Sequence, residues 1–285
     1  MTTPLSLSIE RRIRDIHEEL TENEHRLADV ILAAPGEIAT HNAAEIAALA
    51  GVSPPTTTRF FQKLGYETYE QARRQARDAQ KSGSPLYLRR LEPKATELQK
   101  LVHAHLDNEL ANLANTFHAL DLKTLPAIVA KMATARRVAC IGYRHSQPIA
   151  SMFYRHLLSV RGDVHLLPAA GDTLAESLCD FGPQDMAICI GLRRRVPQLS
   201  AAMEGLASMR VPMLYVSDVI IGKAGKMARW VIRCHTEGHM MFDSVAAVAG
   251  VSNFLYTLVG REISRTRSAH LERVERMHEM LGELE

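Results

Sequence analysis

The sequence predicts two joined structural classes: an all-helical N-terminal domain, then an α/β domain built on a five-stranded parallel sheet. Three observations predict this. From Ile9 to about Arg77, apolar residues recur at helical spacing with no β-branched alternation. After Arg136 the apolar runs become short, "RVACIG", "DVHLLP", "DMAICI", "VPMLYV" and "WVIRC", and alternate with helical segments, the texture of parallel strands buried on both faces. Between the two textures, "DAQKSGSPLYLRR" carries a polar Ser-Gly-Ser-Pro break. These changes divide the chain into a helical domain over 1–80, a linker and connecting helix over 81–120 with the linker near 81–85, and an α/β domain over 121–285.

In the helical part, Thr21 and Glu24 have capping-box spacing, so a helix is expected to start near Glu22. The stretch "AAEIAALAGVSPPTTTRFFQKLGY" reads as two short helices about a glycine turn. Ile46 and Leu49 are the expected inward residues of the first helix. Gly51 makes the turn, where a positive φ costs glycine least, and Val52 plugs the corner. Ser53 is placed to cap the second helix and Pro54 fits its first position, where the missing amide is no loss. Phe60 and Leu64 share the buried face. A candidate contact set follows: Ser53, Thr56, Thr57, Thr58, Arg59 and Lys63. Threonine can bond base edges or phosphate and set its methyl against thymine, while arginine suits guanine or phosphate. The hydroxyl-rich second helix is therefore expected to face double-stranded DNA. Arg73, Arg74 and Arg77 add basic charge on the next helix.

Farther on, "ELQKLVHAHLDNELANLANTFHALD" reads as a helix whose regularly spaced leucines are expected to pack between the two halves. Leu125 to Thr134 reads as another helix. In "VACIGYRHSQPIASMF" a strand ends at Gly142 and a helix begins near Ser146, so free amides and a hydroxyl meet at one point, a physically reasonable anion site. "GLRRRVPQ" places Arg193, Arg194 and Arg195 after the third strand. The residues alone leave two readings of this triplet open: a solvated loop or subunit salt bridge, or a grip on phosphate or carboxylate through paired donors. Asp243 and Ser244 suit the start of the last long helix. The segment Ser268 to Leu284 is an amphipathic helix that would suit either the sheet or a second copy.

Composition narrows the function classes. The chain has 285 residues, 46% of them hydrophobic, with a formal charge of +2, so an acidic partner must be met by a local patch. Cys140, Cys179, Cys189 and Cys234 lie far apart without a C-x-x-C pair and read as reduced residues of a cytoplasmic protein. "MTTPLSLSIERR" has no signal-peptide pattern, and the apolar region from Phe242 to Gly260 is interrupted by polar residues as a buried helix would be. No metal or cofactor is expected. Cys234, His235 and His239 lack a fourth ligand, and no Walker or dinucleotide glycine motif occurs.

"GVSPPTTTRFFQKLGY", preceded by "LTENEHRLADVILAAPGEIA", closely resembles the DNA-binding domain of the RpiR family of bacterial regulators and its pattern V-S-x-x-T-x-x-R-F-x-x-K-L-G. Val52, Ser53, Thr56, Arg59, Phe60, Lys63, Leu64 and Gly65 match it. Pro54 and Pro55 are less usual. The second half resembles the sugar isomerase (SIS) domain that follows in such regulators, with a flavodoxin-type doubly wound sheet. The resemblance implies a cytoplasmic homodimer or homotetramer that binds a palindromic operator and regulates carbohydrate metabolism. It also implies that a phosphorylated or acidic sugar metabolite binds at the C-terminal strand ends, among Tyr143, Arg144, His145, Ser146, Arg193, Arg194 and Glu237. Two departures stand out. Arg144 occupies the second glycine of the family's G-x-G-x-S loop, and the arginine triplet replaces an S-x-S-G phosphate cradle. The rival reading is a sugar-phosphate isomerase or lyase, with Glu237, His145 or His239 as the base.

Overall fold

A computed structural model of the chain describes residues 8–81, 98–238, 242–266 and 269–283. The expected linker beyond Lys81 and the candidate base His239 lie outside these residues. The chain divides into two compact units: Met1–His105 with Gly238–Asp243, and Leu106–Glu237 with Ser244–Glu285.

The first unit contains α1 (Ile9–Asp15), α2 (Glu22–Ala33), α3 (Glu37–Thr40), α4 (Ala43–Ala50), α5 (Pro54–Lys63) and α6 (Tyr69–Lys81). The predicted capping box opens α2, where Glu24 accepts the Thr21 backbone N–H at 2.8 Å. A second box opens α4. Asn42 Oδ1 accepts the Ala44 and Glu45 amides, both at 3.0 Å, and Glu45 returns the contact to the Asn42 amide at 2.6 Å. Gly51 ends α4 at φ 63°, as a left-handed cap should. Two expectations need correction here. Leu49 is 45% exposed, and Ile46, Ala47 and Ala50 form the inner face of α4 instead. Ser53 makes no capping bond, because its hydroxyl pairs with that of Thr56 at 2.9 Å. The core is built on Phe60 and Phe61, packed with Ile46, Leu27 and Tyr69.

In the second unit, five strands among the described residues form one parallel sheet: β1 (Val138–Gly142), β2 (Val164–Leu167), β3 (Met186–Gly191), β4 (Met213–Asp218) and β5 (Trp230–Cys234). Their order is β2-β1-β3-β4-β5, so the two wings diverge between β1 and β3, where Ile141 aligns with Cys189 and Gly142 with Ile190. Alternate residues feed two cores. Val138 and Cys140 face one cluster, shared with α8 (Leu125–Thr134), α9 (Gln147–Val160) and α12 (Ala246–Thr266). Ala139 and Ile141 face the other, shared with α10 (Leu174–Leu178) and α11 (Pro197–Ser208). The sheet is thus covered on both sides, the doubly wound arrangement expected. Burial raises the strand thiols, that of Cys189 to about 12, while Cys179 is exposed.

α7 is the long helix Leu98–His118. Its stripe of Leu98, Val102, Leu106 and Leu110 is more than half exposed, and its inward residues are the polar Asn112 and Thr116. Asn108 and Asn112 both donate to the Glu237 carbonyl at 2.7 Å, and Thr116 Oγ1 accepts the His235 N–H at 2.8 Å. That half of the helix therefore holds the exit from β5. The final helix α13 (Ala269–Leu281) buries none of its side chains.

One buried carboxylate ties the sheet's lower edge. Asp185 is fully buried and accepts from Arg136 at 2.9 and 2.7 Å, and from the Arg137 and Gly182 amides at 3.1 and 2.9 Å. Burial opposes its ionised form, but the Arg136 bonds and the two amides outweigh that, and its pKa falls below the usual carboxylate value. A depressed pKa means that Asp185 contributes stability above its unfolded value near 4 and loses it as pH falls through the folded one. Acid titration followed by circular dichroism should show Asp185→Asn with a shallower loss of stability below about pH 4 than the parent.

Candidate DNA-reading helix and switch-point loops

α5 is anchored at its C-terminal end from two sides. Arg12 donates to the Leu64 carbonyl at 2.7 Å and lies over the Tyr66 ring, 4.6 Å from its centroid. Lys63 donates to the Glu19 carbonyl at 2.7 Å and to Glu24 at 3.1 Å. Lys63 is thus a brace between α5 and the start of α2, and its charge is already paired. Thr57 is wholly buried, on the same face as Phe60, Phe61 and Leu64, so it leaves the set of candidate DNA contacts. The spacing 57, 60, 61, 64 carried that signal in the sequence. Ser53, Thr58 and Arg59 are exposed and Thr56 is half-buried. The Thr58 hydroxyl donates to the Pro54 carbonyl at 3.3 Å, and Arg59 makes no ion pair among the described residues. The side that remains for a partner is short and polar, with one unpaired guanidinium in the middle.

In the sheet unit, the loops leaving β1 and β3 meet at the switch point. Gly142 permits this, because a Cβ there would lie 2.6 Å from the Ser146 carbonyl oxygen. The β1 loop tightens into a 3-10 turn over Arg144–Ser146 ahead of α9. Ser146 is buried, and its hydroxyl accepts the Leu192 N–H at 3.2 Å, which links the two loops. Tyr143, Arg144, His145, Arg193 and Arg194 line the same small recess, whose free volume is about 10 Å³, room for about one water. Burial, together with Cys189, pushes the Tyr143 phenol above its ordinary value. Arg144 and Arg194 both hold left-handed backbone, at φ 51° and 61°, a conformation that favours glycine.

Arg195 has a different part. It donates to Asp218 at 2.6 Å, Ser217 at 2.7 Å and the Tyr215 hydroxyl at 2.8 Å, three groups at the end of β4. It is committed beneath the loop and does not act as a free grip. The sequence held no local signal for this partnership across more than twenty residues. Glu237 also falls outside the recess. It follows β5, two strands beyond β3, and its exposed side chain belongs to the segment held by α7. Among the described residues no group of histidine, cysteine and carboxylate side chains is arranged to hold a metal, and no helix is long and apolar enough to cross a membrane.

A helix-turn-helix unit followed by a doubly wound parallel α/β unit with cationic loops at its switch point defines a two-part architecture. Residues 7–80 match the family model described as the helix-turn-helix domain of the rpiR family. Over 139 residues the chain is 24% identical to the HTH-type transcriptional regulator HexR of Escherichia coli K12, covering 49% of this chain; it spans about half (48%) of that relative's length. The sugar isomerase domain of an RpiR transcription factor from Sphaerobacter thermophilus superposes with a TM-score of 0.58 at 24% identity, over 62% of this chain and 99% of that one. The Vibrio vulnificus NanR protein, solved with ManNAc-6P, superposes with a TM-score of 0.54 at 14% identity, over 95% and 98% of the two chains. The resemblance read in the sequence is thus met by the family match in the first half and by the shared fold in the second.

Proposed function

We propose that the chain is a transcriptional regulator of carbohydrate metabolism whose operator affinity is controlled by a small anionic metabolite bound at the switch-point loops. The observation that carries the reading is the free, exposed Arg59 on a braced α5, within a domain of the RpiR type. The Vibrio protein's complex with ManNAc-6P supports a phosphorylated metabolite as the effector. One such helix reads only a few base pairs, so a homodimer or homotetramer on a palindromic site in the cytoplasm completes the proposal. Of the residues named for the rival enzyme reading, His145 lines the recess and Glu237 lies apart from it. The effector can shift operator affinity only by its differential binding to two arrangements of the protein, on the order of 1–3 kcal/mol.

The test is fluorescence anisotropy on DNA from upstream of the chain's own gene and the genes beside it, against scrambled DNA at physiological salt. Tight, sequence-dependent binding is expected. Arg59→Ala should weaken it by about 1–3 kcal/mol, roughly 5- to 150-fold, with an unchanged melting temperature. Equal affinity of parent and variant would remove Arg59 from the interface, and equally weak binding to every DNA would end the regulator reading.

A further inference from the structure

Resting on that reading of the loops, we infer that the effector carries two separate anionic groups and few hydroxyls, as a small phosphorylated carboxylic acid does, in place of a sugar ring with a single phosphate. The lining of the recess is rich in donors and poor in acceptors. Arg144 comes from the β1 loop and Arg194 from the β3 loop; both are exposed, and neither pairs with an acid among the described residues. Each guanidinium presents a planar fork matched to one carboxylate or phosphate. Two exposed forks on two loops match two anionic groups, one at each end of the ligand; the third arginine of the lining, Arg193, is half-buried.

A sugar ring makes the opposite demand. Each of its hydroxyls is a donor that needs an acceptor once removed from water. No Asp, Glu, Asn or Gln side chain lines the recess. The side-chain acceptors there are the His145 ring and the hydroxyls of Tyr143 and Ser146, and the Ser146 oxygen already receives the Leu192 amide. Asp218, at the end of β4, is bound to Arg195.

Isothermal titration of the full chain with 2-phosphoglycolate, glucose 6-phosphate and inorganic phosphate tests the inference. 2-Phosphoglycolate should bind about 10-fold or more tighter than either of the others and should shift operator affinity. Arg144→Gly and Arg194→Gly, both compatible with the left-handed backbone and checked for folding by their melting curves, should each lose that advantage. Inorganic phosphate binding as tightly as 2-phosphoglycolate would overturn the two-group requirement. Preferential binding of glucose 6-phosphate with a shift in operator affinity would overturn this inference and leave the proposed function standing. If no probe binds, the loops are not an effector site and both fall, while the Arg59 result stands separately.

Discussion

Phe61→Ala is expected to cost the helical unit about 3–5 kcal/mol and with it the ability to bind DNA. Phe61 is fully buried and meets Tyr69 edge to face, with ring centroids 4.9 Å apart, and Phe60 in the same manner at 5.7 Å. Removing the ring deletes its transfer free energy and its contacts with Phe60, Tyr66 and Tyr69, and leaves a cavity between α5 and α6 that short helices cannot close without tilting α5. A small unit has only about 5–15 kcal/mol in hand, so the loss is a large part of its stability. Calorimetry should show a transition falling sharply in temperature together with loss of operator binding. Phe61→Leu, which keeps most of the volume, should lose much less. A parent-like melting curve for the alanine variant would mean that the ring is not the keystone its burial implies.

Gly142→Ala should strike the other unit at the point where its fold makes the recess. The added methyl would sit 2.6 Å from the Ser146 carbonyl oxygen, 2.9 Å from its carbonyl carbon and 2.9 Å from the Ala150 Cβ. Two of these neighbours are backbone and the third is the root of a side chain on α9, so nothing flexible can step aside. Overpacking of this kind costs about 1–3 kcal/mol. The turn over Arg144–Ser146 must move outward, stretching the Ser146 bond to the Leu192 amide. A lower melting temperature and faster hydrogen exchange at the Leu192 amide are the expected readouts. An unchanged exchange rate there would show that the loops are joined by other contacts.

These two sites also show what the sequence could reveal. The central strands β1, β3 and β4 were legible because a parallel strand buried on both faces is an apolar run, and the edge strands β2 and β5, which expose His165 and Arg233, still carried short apolar runs where they lie. The turn at Gly51 was legible because glycine in that position has a local cause. Leu49 was misread for a general reason. Periodicity tells which face of a helix is apolar, but not whether another surface covers it. Lys63 and Arg195 take partners, Glu19, Glu24 and Asp218, that no local pattern announced, because they are brought close only by folding. Thr57 is different, since its helical spacing with Phe60 and Leu64 already placed it inside.

The four cysteines have a practical consequence. Cys140, Cys189 and Cys234 are shut inside the sheet with thiols that resist ionisation, and thiolate is the form that alkylates. Cys179 stands exposed just after α10, beside the apolar groove between α10 and α11. The natural chain therefore offers one address for a maleimide dye. A fluorophore installed there without mutagenesis would report from the sheet unit while leaving the DNA-reading face and the arginine loops chemically untouched.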